Sequence, residues 1–260
     1  MSLPLLAWPG ALAIGLSLGL LGSGGSILTV PVLVYLVGQD EKQAVAGSLL
    51  VVGLIALASA LGYLRRRELD VRAVLAFGIP GMAGTWAGAW SSAFIPGAAQ
   101  LALFALVMAA AATFMLSSRA GNSADARAQG EVRGTLLKQV AAGLSVGIVT
   151  GLVGVGGGFL IVPALVGVTR LDLHRAIGTS LAIITLNCAV GFAQHVSPLS
   201  GRLDWSTLTI VTLIGVVGSL LGQHLADRLP QTTLRKIFAV ALILLATAIL
   251  IESAPRALHA

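Results

Sequence analysis

Two stretches decide the reading of this chain: GLLGSGGSILTVP, Gly19 to Pro31, and GLVGVGGGFLIVP, Gly151 to Pro163. Eight of their thirteen positions are identical at a constant offset of 132. The offset persists downstream, pairing Asp40 with Asp172, Ala44 with Ala176, Ser48 with Ser180 and Leu49 with Leu181. After a shift of two residues the match resumes, pairing Asp70 with Asp204, Gly81 with Gly215, Gly84 with Gly218, Gly88 with Gly222 and Pro96 with Pro230. An ordered series of glycine, proline and aspartate matches is the mark of a duplicated unit. The chain therefore divides into a first repeat (1–117), a linker (118–138) and a second repeat (139–260).

Lipid is the solvent that fits the composition. Of the 260 residues 57% are hydrophobic and only 10% charged, against about 25% charged in an average soluble domain. In water so apolar a chain would expose large hydrophobic patches. The apolar runs lie at 4–22, 24–38, 44–64, 71–95 and 98–116, and again at 138–154, 156–169, 174–195, 204–226 and 232–252. Each is expected to be helical, since an open sheet edge finds no partners in hydrocarbon. The runs at 24–38 and 156–169 are short for a span of roughly 20 residues, and a glycine-rich junction joins each to the run before it. Each repeat is thus expected to begin with a Gly-broken helix or a hairpin. The expected fold is an all-α integral membrane protein of two inverted-topology repeats, with eight to ten membrane helices in total. The N-terminal segment has no basic region ahead of its apolar run, so no cleaved signal peptide is expected.

Charge placement separates the two alternatives. Positive loops stay cytoplasmic. The loop at 65–72 holds Arg65, Arg66, Arg67 and Arg72, whereas its counterpart at 197–203 holds only Arg202; the flanking loops show the opposite bias. Hairpins followed by three full spans per repeat put thirteen of the sixteen Lys and Arg on one side, whereas broken single spans give ten and six. The hairpin arrangement is favoured, with both termini outside and the linker in the cytoplasm.

Candidate site residues follow from the breaks. A helix that restarts inside a membrane begins with unpaired N–H groups and the positive end of its dipole, which attract anions. Ser23, Gly24, Gly25 and Ser26, with Gly156, Gly157 and Gly158, are read as backbone and hydroxyl donors to a small anion. Polar residues within spans usually face the bundle interior, which adds Ser48, Thr179, Ser180, Asn187, Gln194 and His195. The series Gly78, Gly81, Gly84 and Gly88, with Gly215, Gly218 and Gly222, reads instead as close helix packing. All ten Asp and Glu fall in loops or at run ends, so a carboxylate relay or cation site is unsupported; Asp40, Asp70, Asp172 and Asp204 read as helix caps. Cys188 reads as a small buried hydrophobe, and no spacing suggests a metal. No cofactor and no nucleic-acid contact are expected; the partners are the bilayer and a small anionic substrate, and homo-oligomerisation is left open.

The duplicated glycine motifs, followed by AVAGSLL (44–50) and AIGTSLA (176–182), resemble the sulfite exporter TauE/SafE family of membrane permeases. The resemblance spans nearly the whole chain. It implies a multi-pass protein of the bacterial inner membrane that transports sulfite or an organosulfonate, and not an enzyme. The second break lacks the hydroxyls that Ser23 and Ser26 give the first, so any site is only roughly symmetric. With no GxxxxGK[ST] loop in the chain, an ion gradient or downhill flow is the expected source of energy for alternating access. Two further readings compete: an intramembrane serine hydrolase, with Ser23 or Ser26 as nucleophile and His195 or His224 as base, and a non-transporting anion sensor.

Overall fold

The computed structural model describes residues 7–22, 25–117, 132–153, 158–169, 171, 173–196 and 203–226, with residues 240, 243, 244 and 247 of the last apolar run. The helices are α1 (Ala7–Leu21), α2 (Gly25–Pro31), α3 (Glu41–Arg65), α4 (Val71–Ala73), α5 (Ile79–Ser92), α6 (Gly97–Ser117), α7 (Val132–Val153), α8 (Gly158–Thr169), α9 (Leu173–Val196) and α10 (Trp205–Ala226). A π-helical turn over Val32–Leu36 prolongs α2, and a second over Val74–Gly78 joins α4 to α5. Both turns lie beside a proline, Pro31 and Pro80, whose missing N–H interrupts the regular ladder. Among the described residues four helices are long and apolar enough to cross a membrane: Glu41–Arg65, Leu136–Val153, Arg175–Val196 and Trp205–Ala226. Helix α7 starts at Val132, so helix reaches into the stretch that the sequence assigns to the linker.

Both the interior and the outer faces of the bundle are largely apolar. Large apolar side chains, among them Leu57, Leu61, Trp86, Trp90, Leu213 and Leu221, stand exposed on the outer faces. Ser59, Thr85, Asn187 and Ser219 are fully buried. This is the distribution expected where the surroundings are hydrocarbon and polar groups turn inward.

The repeats meet through each other's helices. Helix α1 packs chiefly on α10, α5 on α7 and α3 on α9. A methyl on Gly15 would strike the carbonyl oxygen of Gly215, and one on Gly19 that of Ser219. Likewise a methyl on Gly147 would strike the Gly81 carbonyl, and one on Gly151 that of Thr85. These are the same two contacts carried across by the repeat offsets, 132 for α1 to α7 and 134 for α5 to α10. Both pairs run parallel. The equivalent helices α3 and α9 run antiparallel instead, since Gly53 meets Cys188, Tyr63 meets Gly178 and Leu49 meets Gly191. The packing role read for these glycines fits the contacts: Gly84, Gly88, Gly218 and Gly222 let backbones touch, as small residues do between membrane helices, while Gly81 and Gly215 seat the Asn187 and Ile55 side chains.

In the first repeat the glycine break is a hairpin, not a bent single helix. Gly25 at the start of α2 lies against Ile14 and Leu18, whereas Gly10 lies against Val32 and Leu36 further along. The chain thus turns back beside α1. Gly22, at the turn, has φ of +67°, a backbone state that glycine adopts without strain. In the second repeat α8 packs on both α7 and α9.

Two of the four aspartates read as caps act as such through their side chains. Asp70 accepts from the Ala73 N–H (2.9 Å). Asp204 accepts from the Thr207 hydroxyl (2.6 Å) and N–H (3.2 Å), which hold its carboxyl below the ordinary aspartate range. Asp40 occupies the N-cap of α3 without a side-chain bond, and Asp172 lies outside the described residues.

Candidate functional site

The repeats share a common centre, fixed by two chains of contact. On one side Gly15 touches Gly215, which touches Ile55. On the other Gly147 touches Gly81, which touches Asn187. The offsets convert each chain into the other, so Ile55 and Asn187 are equivalent residues at the crossing of α3 and α9. The first chain ends in an apolar side chain and the second in an amide. Asn187 has 0% of its surface exposed, and neither its Nδ2 nor its Oδ1 has a hydrogen-bond partner. Burying an amide without partners costs about 1–3 kcal/mol by mutational measures. A fold keeps such a group at its centre only against that cost.

Helix α2 restarts close to this level, because Gly25 packs between Ile14 and Leu18, on either side of Gly15. Gly25 and Ser26 are buried, as is Gly158 at the start of α8, and α2 and α8 touch one another. Ser23, Gly24, Gly156 and Gly157 lie outside the described residues.

The other expected site residues have identifiable duties. Ser180 donates toward the carbonyl oxygens of Gly22 (3.1 Å) and Ile177 (2.7 Å), tying the hairpin turn of the first repeat to α9 of the second. Thr179 accepts the Asp70 N–H (3.1 Å), fixing the start of α4. Ser48 donates to the Val45 carbonyl (2.8 Å). Gln194 is half-buried near the C-terminal end of α9. His195 is one turn past Gly191, whose carbonyl lies 2.9 Å from its Nδ1, while its Nε2 is 3.0 Å from the Ser92 hydroxyl. A carbonyl only accepts, so Nδ1 bears a proton. The Ser92 hydroxyl also reaches the Ala89 carbonyl, at 2.7 Å. His224 is exposed and bonds the Leu220 carbonyl of its own helix. Among the described residues His195 meets Ser92 and the Gly191 carbonyl, and His224 the carbonyl of Leu220.

Sequence reasoning passed over Thr85, Ser92 and Ser59. Each sits among glycines or alanines in a span, and isolated hydroxyls there usually bond their own helix backbone. Ser59 instead donates across the interface to Ser219 (2.9 Å). Thr85 has no partner. Gln223 is buried beside Gly62 with its Nε2 unpartnered.

Long apolar helices with large hydrophobic side chains on their outer faces and a few buried polar groups within define a multi-pass membrane protein. Residues 7–249 match the family described as Sulfite exporter TauE/SafE. The chain belongs to that family, whose members are membrane transporters rather than enzymes. It is 33% identical over 239 residues to a probable membrane transporter protein of Xylella fastidiosa, covering 90% of this chain and 89% of the relative. It is 27% identical over 253 residues to the probable membrane transporter protein YunE of Bacillus subtilis, covering 90% and 92%. A probable membrane transporter protein of Methanocaldococcus jannaschii, MJ0441, is 26% identical over 203 residues, 74% of each chain. No solved structure matches the chain. The bacterial inner membrane fits the bacterial relatives.

Proposed function

We propose that this protein is a secondary transporter of a small oxyanion, sulfite or an organosulfonate, held at the centre between the two glycine-rich breaks and moved by alternating access. The observation that carries the reading is Asn187. A buried amide with no protein partner, at the common centre of two repeats and close to where α2 restarts, is a donor kept free for something that comes and goes. Its Nδ2 and the backbone N–H groups of the breaks offer neutral donors to an anionic oxygen. Neutral donors suit a carrier, which must release what it binds. The description of the family points to sulfite as the first substrate to test.

The directions of the helices support inversion of the repeats across the bilayer. Equivalent helices that pack antiparallel at their common centre are related by an axis perpendicular to them, which for a spanning helix lies in the membrane plane. Inverted repeats with broken helices at the centre are a recurrent plan for alternating access.

Counterflow of labelled sulfite and sulfoacetate into proteoliposomes tests the transport reading, with saturable exchange expected. Folded, reconstituted protein that exchanges neither anion refutes it. For the inversion, cysteines placed at Arg66 and after Trp8 are expected to label from the cytoplasmic and outer sides respectively; labelling from one common side refutes that arrangement.

A further inference from the structure

The two repeats build two equivalent seams, and they are not chemically equal. One lies between α3 and α10, where Ile55 faces Gly215 and, one turn on, Ser59 bonds Ser219 at 2.9 Å. The other lies between α9 and α5, where Asn187 faces Gly81 and, one turn on, Gly191 faces Thr85. The offsets of 132 and 134 superpose these pairs residue for residue: Ile55 on Asn187, Ser59 on Gly191, Ser219 on Thr85. In the first seam the central layer is apolar, Ser59 donates to Ser219, and Ser219 donates to the Val216 carbonyl. In the second the serine is replaced by glycine, so Thr85 faces no side-chain oxygen, and the isoleucine is replaced by asparagine.

Thr85 is unusual in a second way. The buried hydroxyls of Thr29, Ser48, Thr150, Ser180 and Thr212 each reach a carbonyl three or four residues back in their own helix, the normal retreat of Ser and Thr in a span. Thr85, with 0% exposure, does not. Among the described residues the other buried side-chain atoms without partners are Gln39 Oε1, ahead of α3, and Gln223 Nε2, near the end of α10. Among the described residues, only in the α5–α9 seam do two unpartnered side chains stand one turn apart on facing helices.

We infer that the oxyanion is seated one-sidedly in this seam, with the Thr85 hydroxyl and the Asn187 amide as its side-chain donors, and that Thr85 is a determinant of substrate affinity. The inference rests on the transport reading above and deepens it. A sulfite or sulfonate group has several acceptor oxygens and can take both donors at once. The serine that closes the opposite seam is missing here, at Gly191. A methyl there would stand 3.3 Å from the Leu49 methyls and 3.4 Å from Thr85 Cγ2, so serine fits with shifts of a few tenths of an ångström and lies against the Thr85 side chain. Gly191→Ser therefore restores, in this seam, the serine of the opposite one and crowds the Thr85 side chain.

The test measures sulfite affinity twice, by sulfite-dependent thermal stabilisation in detergent and by the KM of proteoliposome exchange. Thr85→Val removes the hydroxyl at equal volume and is expected to weaken sulfite roughly tenfold to a hundredfold, the loss for one hydrogen bond to a charged group. Thr85→Ser is expected to stay close to wild type, Gly191→Ser to weaken sulfite as Thr85→Val does while remaining folded, and Ser59→Ala in the opposite seam to leave the KM unchanged. If Thr85→Val and Gly191→Ser keep the wild-type KM while the wild type exchanges sulfite, the one-sided seat is wrong and the transport reading stands. If Ser59→Ala weakens sulfite as much as Thr85→Val, the asymmetry is wrong. If wild type neither binds nor exchanges sulfite or sulfoacetate, the transport reading fails and the seat with it. Should Thr85→Val not fold, Gly191→Ser decides alone.

Discussion

Replacing Asn187 by isoleucine should make the protein more stable and stop it working. The perturbation is suggested by the repeat itself, because Ile55 occupies the equivalent position and packs against Gly215 as Asn187 packs against Gly81. Asn187 buries two polar atoms without partners, and each unsatisfied group costs about 1–3 kcal/mol. Isoleucine removes both and adds apolar contact. Part of the gain is spent where the branched side chain presses on Gly81, since a methyl on that glycine would already lie 3.2 Å from Asn187 Oδ1. A net stabilisation of about 2 kcal/mol follows, a factor of roughly 30 in the folded-to-unfolded ratio. Reversible unfolding in mixed micelles measures the first effect and sulfite exchange in proteoliposomes the second, with flux expected to fall at least tenfold. The reciprocal change, Ile55→Asn, introduces a second unpartnered amide and should destabilise by a similar amount. An Asn187→Ile protein that transports at the wild-type rate, or is less stable than wild type, refutes the argument that the amide is held free for substrate.

The parallel helix pairs and the caps give two further tests. A methyl on Gly84 would meet the Leu144 carbonyl and the Ile148 nitrogen, and one on Gly218 would stand 2.8 Å from the Leu12 carbonyl oxygen. Gly84→Ala and Gly218→Ala should each cost about 1–3 kcal/mol as the backbones are forced apart, whereas Gly167→Ala, with nothing within 4 Å, should be neutral or slightly stabilising in the same unfolding assay. Asp204→Ala should cost about 1 kcal/mol at neutral pH through loss of the α10 cap. Because the folded carboxyl titrates below its ordinary value, the cap contributes fully above about pH 4, and the difference between variant and wild type should vanish as pH falls through that depressed value; a difference that persists unchanged in acid would show that the carboxylate is not the cap.

Much of the architecture was legible in the residues. The low charge content required lipid, the offset of 132 required duplication, and the glycine junctions Gly22 to Ser26 and Gly154 to Gly158 required an interruption. Asp70 and Asp204 marked helix starts because a cap acts within three residues of itself. The aligned glycines of α5 and α10 announced close packing because spacing of three and four puts them on one face. Other features could not be read in this way. That Ser180 holds the turn at Gly22, that Thr179 serves Asp70, that Thr85 is left without a partner and that Ser59 has one all depend on which helix faces which. In a soluble bundle the apolar stripe of each helix betrays its inner face. In a bilayer the lipid-facing and core-facing sides are both apolar, so the sequence of a span says little about its rotation, and only the packed helices bring Thr85 opposite Gly191 and set Asn187 at the centre.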